Sequence, residues 1–286
     1  MLSKLNHIIL SPLLWLVSIV PLKVLYIKSL ILSNFFFYRN DIIKSNIDNA
    51  FNNLSIDHKK KIFKGFRIYF LNLICEIIKM ISMNKKFYIN RITIKNIEIL
   101  DQFYERNQTV VLMMGHHNNW EWAGQIISIK SKQKFVSVYK KLSSSFFDYF
   151  MINLRKKNGT DVIEMNDIIK HIYDNKECKI IGLIADQNPV VNDTTNWTNF
   201  FDKSVPVIDG PEKIARKMNF PVLFCNMNKI KAGYYTINFE IIDENPKTSN
   251  IGDITNKFFK RLEEKIKEEP NNYLWSHNRW KHTKKI

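Results

Sequence analysis

The stretch TVVLMMGHHNNWEW, Thr109 to Trp122, decides how the chain is read. Its first half is a short, continuous apolar run of strand length, which reads as a fully buried strand. Its second half turns polar at once. Two histidines, two amides and one carboxylate fall where the strand ends, the place where α/β sheets gather their ligands.

The pattern extends outward from this stretch. Further strand candidates are Phe135–Tyr139, Asp161–Glu164, Cys178–Ala185, Pro221–Asn228 and Tyr234–Ile241. Helical spacing lies between them over Asn119–Ser128, Ser144–Lys157, Asp167–Asn175, Pro211–Met218 and Asp253–Lys267. The alternation predicts an α/β fold, a central sheet flanked by helices. The strands at 221–228 and 234–241, joined by KIKAG, read as a hairpin, so the sheet is mixed. Upstream, Ile62, Phe66, Tyr69, Leu73, Ile77 and Met80 line one face of a long helix from Asp57 to Met83, with Ser55 or Asp57 as its cap. No repeat and no low-complexity linker divides the chain.

The N-terminus is different. Leu5 to Leu22, LNHIILSPLLWLVSIVPL, has 18 residues without a charge. As one helix it reaches roughly 27 Å, close to the ~30 Å hydrocarbon core of a bilayer. Its apolar residues run all round rather than along one stripe, which predicts membrane attachment, spanning or interfacial. No small-residue cleavage site marks it as a signal peptide. The division expected is a membrane-anchoring segment over 1–38 and a catalytic-sized domain over 39–286, with a helical section at its start.

The 286 residues carry 43 Lys+Arg against 27 Asp+Glu, a net charge of +16. That balance suits an anionic partner, and beside an apolar anchor it suits an anionic lipid surface. No finger, RNP or KH signature accompanies it, so nucleic acid is not the expected partner. The basic residues recur in short groups, ending in the tail RWKHTKKI. The three cysteines, Cys75, Cys178 and Cys225, are widely separated and read as free thiols.

GHHNNWEW admits three chemistries. If Asn118 or Asn119 caps the following helix, His116 lies in the loop and its imidazole can fold back toward Glu121. A carboxylate on one ring nitrogen fixes the tautomer and leaves the other nitrogen as a general base. A metal site drawing on His116, His117, Glu121 and Asp186 is a rival without supporting spacing. A polar turn is the third. There is no G-x-S-x-G elbow for a serine nucleophile.

Five ordered blocks carry a resemblance. His116 and Glu121 give His, four residues, then an acid, and GHHNNWEW is close to a family form GHYGNWEW, departing at His117 and Asn118. VYKKL followed by NLRKKNG resembles YRPL…LRxxxG, keeping Arg155 and Gly159 but with Lys140 in place of an arginine. ADQNP matches at Asp186, Gln187 and Pro189. WTNFFDKSVPVIDGPEKIARK matches at Trp197, Phe200, Gly210, Glu212 and Lys213, and YLWSHNRWK is close to WLWSHRRWK. Through these blocks the chain resembles the bacterial lipid A biosynthesis acyltransferases of the lauroyl/myristoyl type, within the wider glycerolipid acyltransferase superfamily.

The resemblance implies a glycerol-3-phosphate acyltransferase-like fold held at the bacterial inner membrane, with the catalytic domain on the cytoplasmic side. It implies transfer of a fatty acyl group from acyl carrier protein to a hydroxyl of a lipid A precursor, with no metal, no other cofactor and no covalent intermediate. The roles expected are His116 as base, Glu121 as its orienting carboxylate, and Arg155 on a phosphate or the developing oxyanion. Asp186, and more weakly Gln187, would position the acceptor or Arg155, and Asn119 would be helix cap or oxyanion donor. Trp197, Trp275 and Trp280 read as core or interfacial aromatics, and Arg279 and Lys281 as phosphate contacts or a solvated tail. Two other readings share the residues: an acyltransferase for an aminolipid or lysophospholipid, and a catalytically dead protein binding lipid or nucleic acid.

Overall fold

The computed structural model describes residues 2–283, with side chains from Leu10 onward. The end of the basic tail, 284–286, and the side chains of 5–9 in the apolar run lie outside the described residues.

Helices come first: α1 (Leu2–Ile19), α2 (Leu22–Ser33), α3 (Asn40–Ala50), α4 (Ile56–Lys79) and α5 (Lys85–Ile89). Strands and helices then alternate through β1 (Ile92–Ile94), α6 (Glu98–Glu105), β2 (Val110–Met114), α7 (Trp120–Lys130), β3 (Lys134–Tyr139), α8 (Ser145–Lys156), β4 (Asp161–Glu164), α9 (Ile168–Asp174) and β5 (Lys179–Ile184). A separate hairpin, β6 (Trp197–Phe200) and β7 (Lys203–Pro206), precedes α10 (Gly210–Met218). The chain closes with β8 (Val222–Lys231), β9 (Tyr234–Asp243) and α11 (Asp253–Glu268).

The main sheet has the order β1-β9-β8-β2-β5-β3-β4. Every neighbouring pair is parallel except the β8–β9 hairpin. The expected mixed sheet is therefore dominated by parallel pairs. β2 sits in its middle, and all five of its residues are buried. Val111 and Met113 join one core with Phe66, Ile214 and Phe258. Val110, Leu112 and Met114 join the other with Trp122, Ile126 and Phe239. Two covered faces are why the strand reads as an unbroken apolar run rather than an alternation.

Topology places the site. After β2 the chain passes to β3 and leaves a gap that β5 later fills; after β5 it crosses to β8 on the other side of β2. Met114 and Ile184 are register partners, and Ala185 N–H donates to Met114 O at 3.3 Å. The loops after β2 and β5 thus start side by side, at the point where connections diverge and open sheets bind ligands.

The N-terminus departs from a single apolar span. Among the described residues no one helix is long and apolar enough to cross a membrane. Leu10–Ile19 and Leu22–Ser33 pass that test only as a pair, bent by 111°. Pro21 lies at the bend, where its missing N–H and fixed φ stop α1 and start α2. Leu22, Leu25, Ser29 and Ser33 bury one side of α2, while Leu13, Trp15, Leu16, Ile27, Leu30 and Ile31 are exposed. Lys79, at the end of α4, donates to the carbonyls of Ser18 and Val20 at 2.6 and 2.9 Å, satisfying the free end of α1.

Candidate active site

The loop after β2 is built by four devices. Gly115 lets α11 approach, since a Cβ there would lie 2.5 Å from the Leu262 side chain. Asn118 has φ +56, in the left-handed region; glycine takes that conformation freely and asparagine tolerates it better than most residues. The departure from the family form GHYGNWEW at this position, glycine to asparagine, is a substitution the backbone accepts. The strain is held by many bonds: Asn118 N–H donates to Asn272 O at 2.8 Å, its side-chain nitrogen to Met227 O at 2.7 Å and to Glu269 Oε2 at 3.1 Å, and its carbonyl accepts from Tyr69 at 2.7 Å. The C-terminal segment straps the loop, with Tyr273 bridged antiparallel to His117 and Leu274 N–H donating to His116 O at 3.0 Å. Finally, Asn119 caps α7, its Oδ1 accepting from Trp122 N–H at 2.9 Å.

His116 and Asp186 meet across the two loops. His116 Nδ1 lies 2.6 Å from Asp186 Oδ1, and its backbone N–H donates to Asp186 Oδ2 at 3.0 Å. Burial pushes the Asp186 carboxyl up, but the His116 ring and these bonds outweigh it and hold its pKa below the ordinary value. An ionised carboxylate only accepts, so Nδ1 carries a proton, and in the neutral ring Nε2 is the nitrogen with the free lone pair. The His116 side chain is 16% exposed and that of Asp186 1%, so the ring is reachable while its support is not. Gln187 Nε2 stands 3.4 Å from His116 Nε2, and the Trp120 ring packs edge-on at 4.8 Å.

Glu121 has another partner. The carboxylate expected on His116 instead accepts a two-pronged pair from Arg155, from Nε at 2.9 Å and Nη2 at 2.6 Å. Trp120 Nε1 adds a third bond at 3.2 Å. Burial raises the Glu121 pKa, but Arg155, these bonds and the nearby His116 ring bring it below its ordinary value. Arg155 is pulled down by burial and raised further by Glu121, so the pair stays charged. Glu121 accepts from Arg155 rather than from His116, which corrects its expected partner, and Asp186, expected to position the acceptor or Arg155, bonds the imidazole and not Arg155. The reason is the sheet: β5 runs beside β2, so a residue 70 positions away bonds the ring nitrogen while one in the first turn of the next helix, α7, does not.

Asn119 is a helix cap, as one of its two expected roles, and its other side-chain atom points away into the protein toward Glu76. Gln187 lies at the ring. His117 turns inward, its Nε2 3.3 Å from Glu269 O. Among the described residues no three His, Cys, Asp or Glu side chains gather as a metal site. Arg279 is neither a solvated tail nor a surface contact: it is 1% exposed, donating to Asn188 Oδ1 and, at 3.0 Å, to Pro206 O. Trp275 and Trp280 are buried and stacked. Residues the sequence reading passed over also reach the site. His277 Nε2 accepts from Asn188 N–H at 3.2 Å, and burial lowers its pKa to about 4. Glu76 interrupts the apolar stripe of α4 three residues after Leu73, and that interruption was its only signal.

A parallel-dominated α/β sheet with a carboxylate-held, partly exposed histidine at the end of its central strand, and a paired arginine beside it, defines a protein equipped for base chemistry. The sequence model of the bacterial lipid A biosynthesis acyltransferases matches residues 5–282. The chain belongs to that family, an acyltransferase family acting on lipid A-type acceptors. No curated protein matches the chain.

Proposed function

We propose that the protein transfers a fatty acyl group from the thioester of acyl carrier protein to a hydroxyl of a lipid A precursor, with His116 as general base. The observation that carries this reading is the His116 ring, held through Nδ1 by a buried, ionised Asp186 and itself partly exposed. Nε2 takes the acceptor hydroxyl's proton as the oxygen attacks the thioester carbonyl. The tetrahedral oxyanion then collapses, expelling the thiolate, and the imidazolium returns the proton to that sulfur. Asp186 stabilises the imidazolium and fixes the tautomer, and the general base catalysis it supports is worth about 10²–10⁴-fold.

Glu121 serves the same step at one remove. It holds Arg155 by Nε and Nη2, which leaves Nη1 to face the oxyanion or an acceptor phosphate. Gln187 steers the acceptor hydroxyl toward Nε2. Lys140 and Lys141, exposed after β3, suit an acidic carrier protein. The bent α1–α2 pair, with its exposed apolar side and the chain's positive charge, suits attachment to the bilayer surface of the inner membrane.

The test is acyl transfer by the purified full-length protein, given acyl carrier protein thioester and a lipid A precursor. An acylated precursor and free thiol are expected from the wild type, and neither from H116A. Acylation of an aminolipid or lysophospholipid instead would overturn the acceptor; transfer by H116A would overturn the base.

A further inference from the structure

Glu76 on α4 is 1% exposed and, among the described residues, has no salt-bridge partner. Its carboxylate accepts from three side chains on three different elements. Tyr26 of α2 donates to Oε1 at 2.6 Å. Tyr235 of β9 donates to Oε2 at 2.8 Å, and Asn119 at the start of α7 donates to Oε2 at 2.6 Å. Its backbone carbonyl accepts from Trp122 Nε1 at 3.1 Å. A buried carboxylate with no cation in contact is a costly way to fill a core, and an apolar residue of similar size does so more cheaply. Burial pushes its pKa up, and the three donors, with the charge of Lys229, act against that rise.

The bond to Asn119 shows what the carboxylate is suited to. Asn119 divides its amide: Oδ1 caps α7 through Trp122 N–H, and Nδ2 goes to Glu76. With both ends held, the amide cannot turn over, and the backbone three residues after His116 has one position. The third donor, Tyr26, belongs to the N-terminal helix pair.

We propose that Glu76 is a positioning residue of the acyl-transfer site, fixing Asn119 and the His116 loop and tying them through Tyr26 to the N-terminal helix pair. This rests on His116 being the base of that site. The helix pair is then part of the catalytic scaffold as well as an attachment surface, and disturbing its seat on α4 slows the chemical step.

The experiment is a rescue. N119D sets two carboxylates against each other; E76Q leaves the amide of Asn119 facing an amide; E76Q/N119D restores one bond with donor and acceptor exchanged and keeps the cap on Trp122. Acyl transfer is measured on full-length protein, with kcat normalised to the folded fraction. Misplacing a catalytic loop costs up to about 10²-fold. N119D is expected to lose on that order in kcat and E76Q about tenfold, with KM unchanged, while the double variant returns to within about threefold of wild type. A double variant no better than N119D overturns the proposal, since a purely structural role gives no such recovery. Should N119D fail to fold, Y26F reads the link alone: a fall in kcat of about three- to tenfold at unchanged KM and folded fraction is expected, by the loss of one hydrogen bond to a charged group. Wild-type kcat in Y26F overturns it. H116A, run alongside, separates the two claims: activity there ends the general-base reading, whereas the rescue pattern concerns Glu76.

Discussion

The loop after β2 and the loop after β5 leave adjacent parallel strands and face one another, yet they are held in different ways. The first is fixed by backbone bonds to the C-terminal strap and by a capped helix that begins within it. The second opens no helix; it is anchored by side chains, with Asp186 on His116 and Asn188 between His277 and Arg279. The histidine comes from the loop with the rigid backbone and its carboxylate from the loop held by side chains. Sequence spacing pairs His116 with Glu121, whereas strand adjacency pairs it with Asp186 and leaves Glu121 for Arg155.

The largest effect expected is that of H116A, a fall in kcat/KM of about 10³–10⁴-fold, near the upper end of what a general base supplies. D186N comes next. An amide in place of the carboxylate no longer stabilises the imidazolium, and a loss of about 10²–10³-fold is expected with KM little changed. E121Q acts through Arg155 and should cost less, about tenfold. If E121Q proved the more damaging of the two, the comparison between the loops would be broken and spacing would have been the better guide.

R155A sharpens the same comparison through stability. Removing the guanidinium leaves Glu121 buried and unpaired, and breaking such a pair costs about 3–5 kcal/mol. R155K should recover part of this, keeping the charge and losing the fork. Denaturant unfolding of the two variants measures both. Q187A is expected to cost no more than about threefold in kcat, since its contact with His116 is long at 3.4 Å.

The smallest effect concerns acid. Burial lowers the His277 pKa from its ordinary 6.5 to about 4. Between those values the unfolded chain binds the proton and the folded one does not, so stability rises with pH across that window. It is fully present above 6.5 and is lost as pH falls toward 4. H277N should flatten that part of the stability curve, and an unchanged slope would remove His277 from the account.

Much of the fold was legible because its signals are local. The buried strands at 110–114 and 179–184 read as apolar runs, the β8–β9 hairpin as two runs around Gly233, and α4 from its 3.6-residue stripe. The β6–β7 hairpin was missed for a physical reason. Its two-residue turn, Phe201–Asp202, has φ of +51 and +56 without a glycine or asparagine to announce it. The conformation is held from outside, by Glu263 accepting from Phe201 N–H at 2.6 Å and by Trp280 against the Phe201 ring. β1 is three residues long and gives no period. The residues of the site were legible as types, and the partnership of His116 was not, because sheet order is not written in any one segment. The N-terminal run was legible as apolar, while its bend depends on Pro21 and on the seat that α4 provides.

The most direct measurement is the ¹⁵N spectrum of the His116 ring in the full-length protein. The account predicts a protonated Nδ1 and a bare Nε2 in the wild type, a pattern kept in E121Q and lost in D186N. A ring protonated on Nε2, or a pattern lost in E121Q and kept in D186N, would contradict it.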